Sequence, residues 1–66
     1  MNGNINYTLR RGAHGEWYIR RDTATGHDYF AGYDAMGTAV FDDFDVDYDL
    51  DEASARATIA DLRAAL

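Results

Sequence analysis

Residues 4–20 read NINYTLRRGAHGEWYIR, in which two short apolar–polar alternations flank a glycine-containing turn. The apolar members of these alternations are Ile5, Tyr7, Leu9, Trp17 and Ile19. Spacing of two residues is typical of strands with one face buried and the other in water. The stretch therefore predicts a β-hairpin whose strands cover about residues 4–11 and 16–21.

The register of this hairpin can be predicted by keeping the apolar residues on one face. If Leu9 faces Trp17, then Tyr7 faces Ile19 and the four side chains lie together. A shift of one residue would put the two apolar sets on opposite faces, at a large cost in burial. We therefore predict a loop of three or five residues in which a glycine adopts positive φ.

Two further strands are predicted, over about residues 27–32 and 38–47, each preceded by a glycine-containing turn. At Asp42-Asp43 the alternation slips by one residue, which predicts a bulge or a strand break. Beyond the slip, one face is predicted to carry Phe44, Val46 and Tyr48, and the other Asp43, Asp45 and Asp47.

The last part of the chain has the period of an amphipathic helix, predicted over about residues 50–65. Its apolar stripe, at four-three-four spacing, consists of Ala55, Ile59, Leu62 and Leu66. Asp49 and Glu52 fit a capping box, and Asp51 adds negative charge to the first turn.

Together these patterns predict a single α+β domain over residues 1–66. Its architecture is an antiparallel β-meander of three to four strands, with one C-terminal helix packed on one face. The core is predicted to contain Leu9, Trp17, Ile19, Ile59 and Leu62.

Size and composition argue against catalysis. A chain of 66 residues buries a small core and leaves little room for a deep substrate pocket. Its two histidines, His14 and His27, lie in or beside turns, and Ser54, its only serine, has no glycine elbow. The chain has no cysteine, so it offers no thiolate metal site. We expect no enzymatic activity and no cofactor. With no targeting signal and no long apolar run, the expected location is the cytoplasm.

The net charge of −6 is concentrated in one stretch. Residues 42–52 carry seven carboxylates and no base, whereas the rest of the chain holds six arginines and five acids. The seven are Asp42, Asp43, Asp45, Asp47, Asp49, Asp51 and Glu52. A calcium loop starting at Asp43 would need glycine where Tyr48 stands and glutamate where Ser54 stands. We therefore expect no specific metal site.

Aspartate at every second position has a different possible use. Alternate residues of a strand repeat at about 6.6–6.8 Å, and neighbouring phosphates of one DNA strand are about 6–7 Å apart. Such a strand could occupy a basic groove that normally binds DNA, with carboxylates pairing to arginine and lysine. Direct nucleic-acid binding is not expected at this net charge. The pairs Arg10-Arg11 and Arg20-Arg21 are expected to be neutralised in part by Glu16 and Asp28.

In length, lack of a signal and the run Asp42–Glu52, the chain resembles the small acidic DNA mimics of phages and mobile elements. Anti-CRISPR proteins that inhibit type I complexes, including the type I-C group, are the nearest in kind. The resemblance implies an inhibitor that blocks target-DNA recognition by a CRISPR effector subunit in the host cytoplasm. It implies partner binding through the seven acids named above, by a monomer or weak homodimer.

Two alternatives remain open at this point. The acidic run also fits a solvated surface that keeps an aromatic-rich protein soluble. A small regulatory or antitoxin-like domain that docks through its apolar helix is the other alternative, and in it the acids serve solubility.

Overall fold

The computed structural model describes residues 4–66 and consists of a four-stranded antiparallel sheet and a C-terminal helix. The elements are β1 (Asn6–Arg11), β2 (Trp17–Thr23), β3 (Gly26–Tyr33), β4 (Ala39–Asp42) and α1 (Glu52–Ala64). The strands lie side by side in sequence order, so the sheet is an open meander. The predicted α+β class and architecture are confirmed. Residues 1–3 of the predicted domain lie outside the described residues.

The helix α1 packs on β1 and β2. The core between the helix and the sheet is formed by strand residues Tyr7, Ile19 and Phe30 and by helix residues Ala55, Ile59 and Leu62. We call the sheet face that carries these strand residues the inner face and the opposite one the outer face. Burial of Ile19, Ile59 and Leu62 is confirmed, whereas Leu9 and Trp17 are only half-buried at the margin of the core.

The β1–β2 hairpin has a different register from the predicted one. Leu9 pairs with Ile19 and Tyr7 pairs with Arg21, so the predicted partners are wrong by two residues. A shift of two leaves every side chain on the predicted face because strand side chains alternate with period two. The predicted loop is confirmed: Gly12 N–H bonds to Glu16 O at 2.8 Å, and Gly15 has a φ of 83°.

Arg21 explains why an all-apolar pairing fails. Its guanidinium lies on the inner face, where it hydrogen-bonds Asp28 (Nε to Oδ1, 2.8 Å) and covers the Phe41 ring at 3.9 Å from its centroid. The hydrogen bond from Arg21 to Asp28 raises the pKa of Arg21, against a smaller opposing effect of burial. Because its guanidinium has these two partners, Arg21 can lie opposite Tyr7 on the inner face, where the predicted register placed Ile19.

The fourth strand ends five residues earlier than predicted, at Asp42 instead of residue 47. Asp42 Oδ1 accepts hydrogen bonds from the N–H groups of Phe44 (2.8 Å) and Asp45 (3.1 Å). Aspartate side chains that bind backbone N–H groups close turns and compete with strand pairing. The predicted strand over 38–47 is therefore wrong beyond Asp42, and the strand break predicted at Asp42-Asp43 is confirmed.

The start of the helix also differs from its prediction. Asp51 is the N-cap, and its Oδ1 accepts a hydrogen bond from Ser54 N–H at 2.7 Å. The predicted capping box of Asp49 and Glu52 is wrong by two residues, because a carboxylate at Asp51 reaches the unpaired N–H groups of the first turn. At the other end Leu66 follows α1 and is 45% exposed, although it was predicted to continue the stripe.

Candidate interaction surface

The candidate surface is the segment of residues 42–52, which contains the seven carboxylates and connects β4 to α1; we call it the acidic segment. Pairing between β2 and β3 ends at Arg20 and Tyr29. Beyond that point the acidic segment contacts both strands.

On β3, the Phe30 carbonyl oxygen accepts a hydrogen bond from Asp47 N–H at 3.0 Å. On β2, Trp17 forms an isolated antiparallel bridge with Leu50. The acidic segment is thus attached to the sheet through its own backbone, at two places. Its aspartates are held in position although they are not in a regular strand.

An aromatic contact adds a third attachment, on the outer face. Tyr48 packs edge-on against Tyr18, with ring centroids 5.5 Å apart. Tyr18 also contacts Tyr29, with ring centroids 5.7 Å apart. Half-buried Val46 lies in the same part of the segment. The predicted common face of Phe44, Val46 and Tyr48 is not formed, because Phe44 is 91% exposed in the turn closed by Asp42.

The seven predicted site residues fall into two groups. Four carboxylates make contacts within the chain: Asp42 with Phe44 and Asp45, Asp47 with Asp49 N–H, Asp51 with Ser54 N–H, and Glu52 with Arg56. The other three belong to Asp43, Asp45 and Asp49, which are exposed and accept no side-chain hydrogen bond from the described residues 4–66. A partner that binds these three carboxylates replaces no hydrogen bond or ion pair among the described residues.

Two of the internally bonded acids have altered titration. The Phe44 backbone N–H, followed by that of Asp45, lowers the pKa of Asp42. The backbone N–H of Ser54, with a further contribution from its hydroxyl, lowers the pKa of Asp51. N–H groups stabilise the charged carboxylate, so both residues remain ionised at and well below neutral pH.

Little of the negative charge is neutralised by the chain's own arginines. Asp28 pairs with Arg21 as expected, and Arg20 pairs with Asp22 at 2.9 Å. The Glu16 carboxylate instead accepts a hydrogen bond from His14 N–H at 3.2 Å. Within residues 4–66, the one ion pair made by the acidic segment is that of Glu52 with Arg56.

The acids do not converge on one point. Across the described part of the chain, no group of three or more histidine, cysteine, aspartate or glutamate side chains is placed to hold a metal ion. The arrangement presents separate negative charges along a surface, which suits contact with several cationic side chains of a partner.

Sequence reasoning missed two features. Phe44 was assigned to a strand face, and a groove of about 850 Å³ beside the C-terminal end of α1 was not predicted. The groove is lined by Tyr7, Tyr33, Gly37, Thr38, Ala39, Phe41, Asp61, Leu62, Ala65 and Leu66. The periods in the sequence did not indicate it, because its walls come from β1, from the β3–β4 hairpin and from the end of α1, which are far apart in the chain.

The structure defines the class of this protein as an α+β domain built on an open four-stranded meander. Comparison of the chain with protein-family models, curated proteins and solved structures finds no match. Among residues 4–66 there is no helix with the length and hydropathy needed to cross a bilayer.

Proposed function

We propose that this domain is a non-catalytic binding protein whose acidic segment occupies the basic, DNA-binding groove of a partner protein in place of DNA phosphates. The observation that carries the proposal is the combination of exposure and attachment. Asp43, Asp45 and Asp49 are exposed, whereas the segment that bears them is attached to the sheet through Asp47 and Leu50.

Attachment favours binding for an entropic reason. Ordering a flexible loop on binding costs free energy that is subtracted from the affinity. Here Asp47 N–H and the Trp17–Leu50 bridge hold the segment before any partner arrives. Carboxylates held in this way can form charge-assisted hydrogen bonds with arginine or lysine at a smaller cost.

The basis of the mimicry differs from the regular spacing expected of a strand. Because β4 ends at Asp42, residues 43–47 do not form the ladder with a repeat of two residues. The proposal rests instead on local charge density. Seven acids and no base lie within residues 42–52, in a chain whose other residues sum to +1.

In its narrower form, the proposal is that the protein is an anti-CRISPR inhibitor that blocks target-DNA recognition by an effector complex in the host cytoplasm. What supports this form is the resemblance in length and acidic run to small DNA mimics of phages. In the competing proposal, a regulatory or antitoxin-like domain docks through its helix; three of the four stripe residues, Ala55, Ile59 and Leu62, are buried on the sheet and Leu66 alone of the four is exposed.

The test uses the intact chain as bait in a lysate of the host, followed by measurement of the affinity for the retained partner. The triple variant Asp43→Asn, Asp45→Asn and Asp49→Asn removes three charges at nearly constant shape. We expect it to weaken binding tenfold or more, because three charge pairs at about 0.5–1 kcal/mol each reach that factor. Duplex DNA should compete with the protein, and wild-type binding should fall steeply with salt.

A matched control removes three carboxylates elsewhere, by Glu16→Gln, Asp34→Asn and Asp61→Asn. It has the same net charge as the test variant and should retain nearly full affinity. Equal losses in the two variants would show that only net charge matters. Full affinity in the test variant, or no competition by DNA, would rule out phosphate mimicry by the acidic segment.

A further inference from the structure

Part of the inner face of the sheet is not covered by the chain's own helix. Neighbouring strands lie about 4.8 Å apart and a helix with its side chains is about 10 Å wide, so one helix covers about two strands. The helix α1 packs on β1 and β2. The groove of about 850 Å³ lies on the side of α1 that faces β4, where a second helix would complete the layer.

The walls of this groove are mainly apolar. Its apolar and aromatic lining is formed by Tyr7, Tyr33, Ala39, Phe41, Leu62, Ala65 and Leu66. Tyr33 is 51% exposed and Leu66 is 45% exposed, although both line the same concave surface as buried Leu62. A concave apolar surface next to a helix is the shape that binds the apolar face of an amphipathic helix.

We propose that this groove binds an amphipathic helix of a partner protein, with leucine-type residues facing the groove and lysine or arginine along the helix edges. The charge of the groove sets the second requirement. Its lining contains the carboxylate of Asp61 and no basic residue, and Arg21, which lies over the Phe41 ring, is already paired with Asp28. A basic helix is attracted to this surface and an acidic one is repelled.

A second copy of this chain fits the groove poorly, for two reasons. Each copy carries a charge of −6, so two copies repel one another. The one helix within residues 4–66 also has its apolar stripe, Ala55, Ile59 and Leu62, buried on its own sheet. It cannot offer that stripe to a neighbour without unfolding. The groove is a site separate from the acidic segment and does not depend on the function proposed for that segment.

The test uses three synthetic helical peptides and the intact chain of 66 residues. The first has leucine at three–four spacing with lysine at the remaining positions, the second replaces lysine with glutamate, and the third scrambles the lysine peptide. We expect only the first to shift the amide and side-chain NMR signals of Tyr33, Phe41 and Leu62. Scrambling should weaken binding at least tenfold, because it removes the apolar face and keeps the charge.

Variants at constant charge localise the site. Tyr33→Ser and Leu66→Ser should each weaken the lysine peptide at least fivefold, whereas Met36→Ser, at a 90% exposed residue that does not line the groove, should change the affinity less than twofold. Equal binding of the scrambled peptide, or shifts confined to residues 42–52, would overturn the proposal. Equal binding of the glutamate peptide would overturn its charge requirement. If the chain instead forms a dimer with rising concentration, and dimerisation shifts the NMR signals of Tyr33 and Leu66, the occupant of the groove is a second copy and the proposal is overturned.

Discussion

Leu50 bridges to Trp17 of β2 immediately before α1 begins, so a single residue joins the acidic segment, the sheet and the start of the helix. Leu50 is half-buried and packs against the core. Its position means that the placement of the acids depends on apolar contact as well as on hydrogen bonds.

The first prediction follows from this contact. Leu50→Ala should lower the free energy of unfolding by about 1–2 kcal/mol, since part of a leucine side chain leaves a half-buried site. Amide hydrogen exchange at Asp47 should become faster, because the apolar contact of Leu50 no longer holds the segment beside the bond to Phe30 O. Urea unfolding and exchange measured by NMR test the two effects. Unchanged exchange at Asp47 would show that the Leu50 side chain does not hold the segment.

The second prediction concerns the centre of the core. Ile59 is 6% exposed between α1 and the sheet. Ile59→Ala should cost about 2–4 kcal/mol, because it leaves a cavity that the surrounding side chains fill only in part. Met36→Ala is the control and should change the free energy of unfolding by less than about 0.5 kcal/mol. A near-neutral Ile59→Ala would contradict the packing of α1 on the sheet.

The fold was predictable where the spacing of apolar residues matches the repeat of a strand or of a helix. Alternation through Phe41 predicts the strands, and the stripe of Ala55, Ile59 and Leu62 predicts the buried side of α1. The hairpin register was not predictable in this way. It depends on Arg21 on the inner face, whose partners Asp28 and Phe41 come from β3 and β4.

The third prediction concerns Phe44, which is 91% exposed between two exposed aspartates. Phe44→Ala should leave the free energy of unfolding within about 0.5 kcal/mol of wild type, because its side chain buries almost nothing. Exposed aromatic residues are frequent energetic centres of protein interfaces. We therefore expect the same variant to weaken binding to the retained partner at least fivefold, without changing the salt dependence. Met36→Ala provides a control of equal exposure; a similar loss in both variants would argue against a specific contact at Phe44.

The fourth prediction concerns acid stability. Hydrogen bonds from backbone N–H groups lower the pKa of Asp42 and Asp51 from their usual 3.8. A lowered pKa in the folded state adds stability that is fully present above the usual pKa and is lost as the pH falls through the lowered one. Unfolding free energies should therefore decrease from about pH 4 downward.

The comparison that isolates these two groups is the double variant Asp42→Asn and Asp51→Asn. Asparagine can still accept the same hydrogen bonds, so the fold near neutral pH should be kept. Its unfolding free energy should vary less with pH below about pH 4 than that of wild type. Parallel curves for the two proteins would contradict the assignment of acid sensitivity to these caps.

The location of the acids in the sequence was predictable, but the backbone conformation of the segment that carries them was not. Counting acids in residues 42–52 locates the charged surface, because charge does not depend on conformation. The conformation itself depends on Asp42, whose Oδ1 accepts hydrogen bonds from the N–H groups of Phe44 and Asp45 and thereby closes the turn that ends β4. The alternation of apolar and polar residues does not distinguish an aspartate that ends a strand from one on the exposed face of a continuing strand.

The hydrogen bond from Arg63 Nη2 to Tyr7 O, at 3.1 Å, joins the last turn of α1 to the beginning of β1. The first and last elements of the fold are therefore neighbours in space, and the path of the chain is nearly circular. A linker between these elements, with a new opening in the exposed turn at Asp34–Thr38, would give a circular permutant that keeps the contacts among strands and helix and loses the hydrogen bonds of that turn. In such a permutant β4 would be the first element, and the acidic segment would follow it near the start of the chain, ahead of α1 and β1.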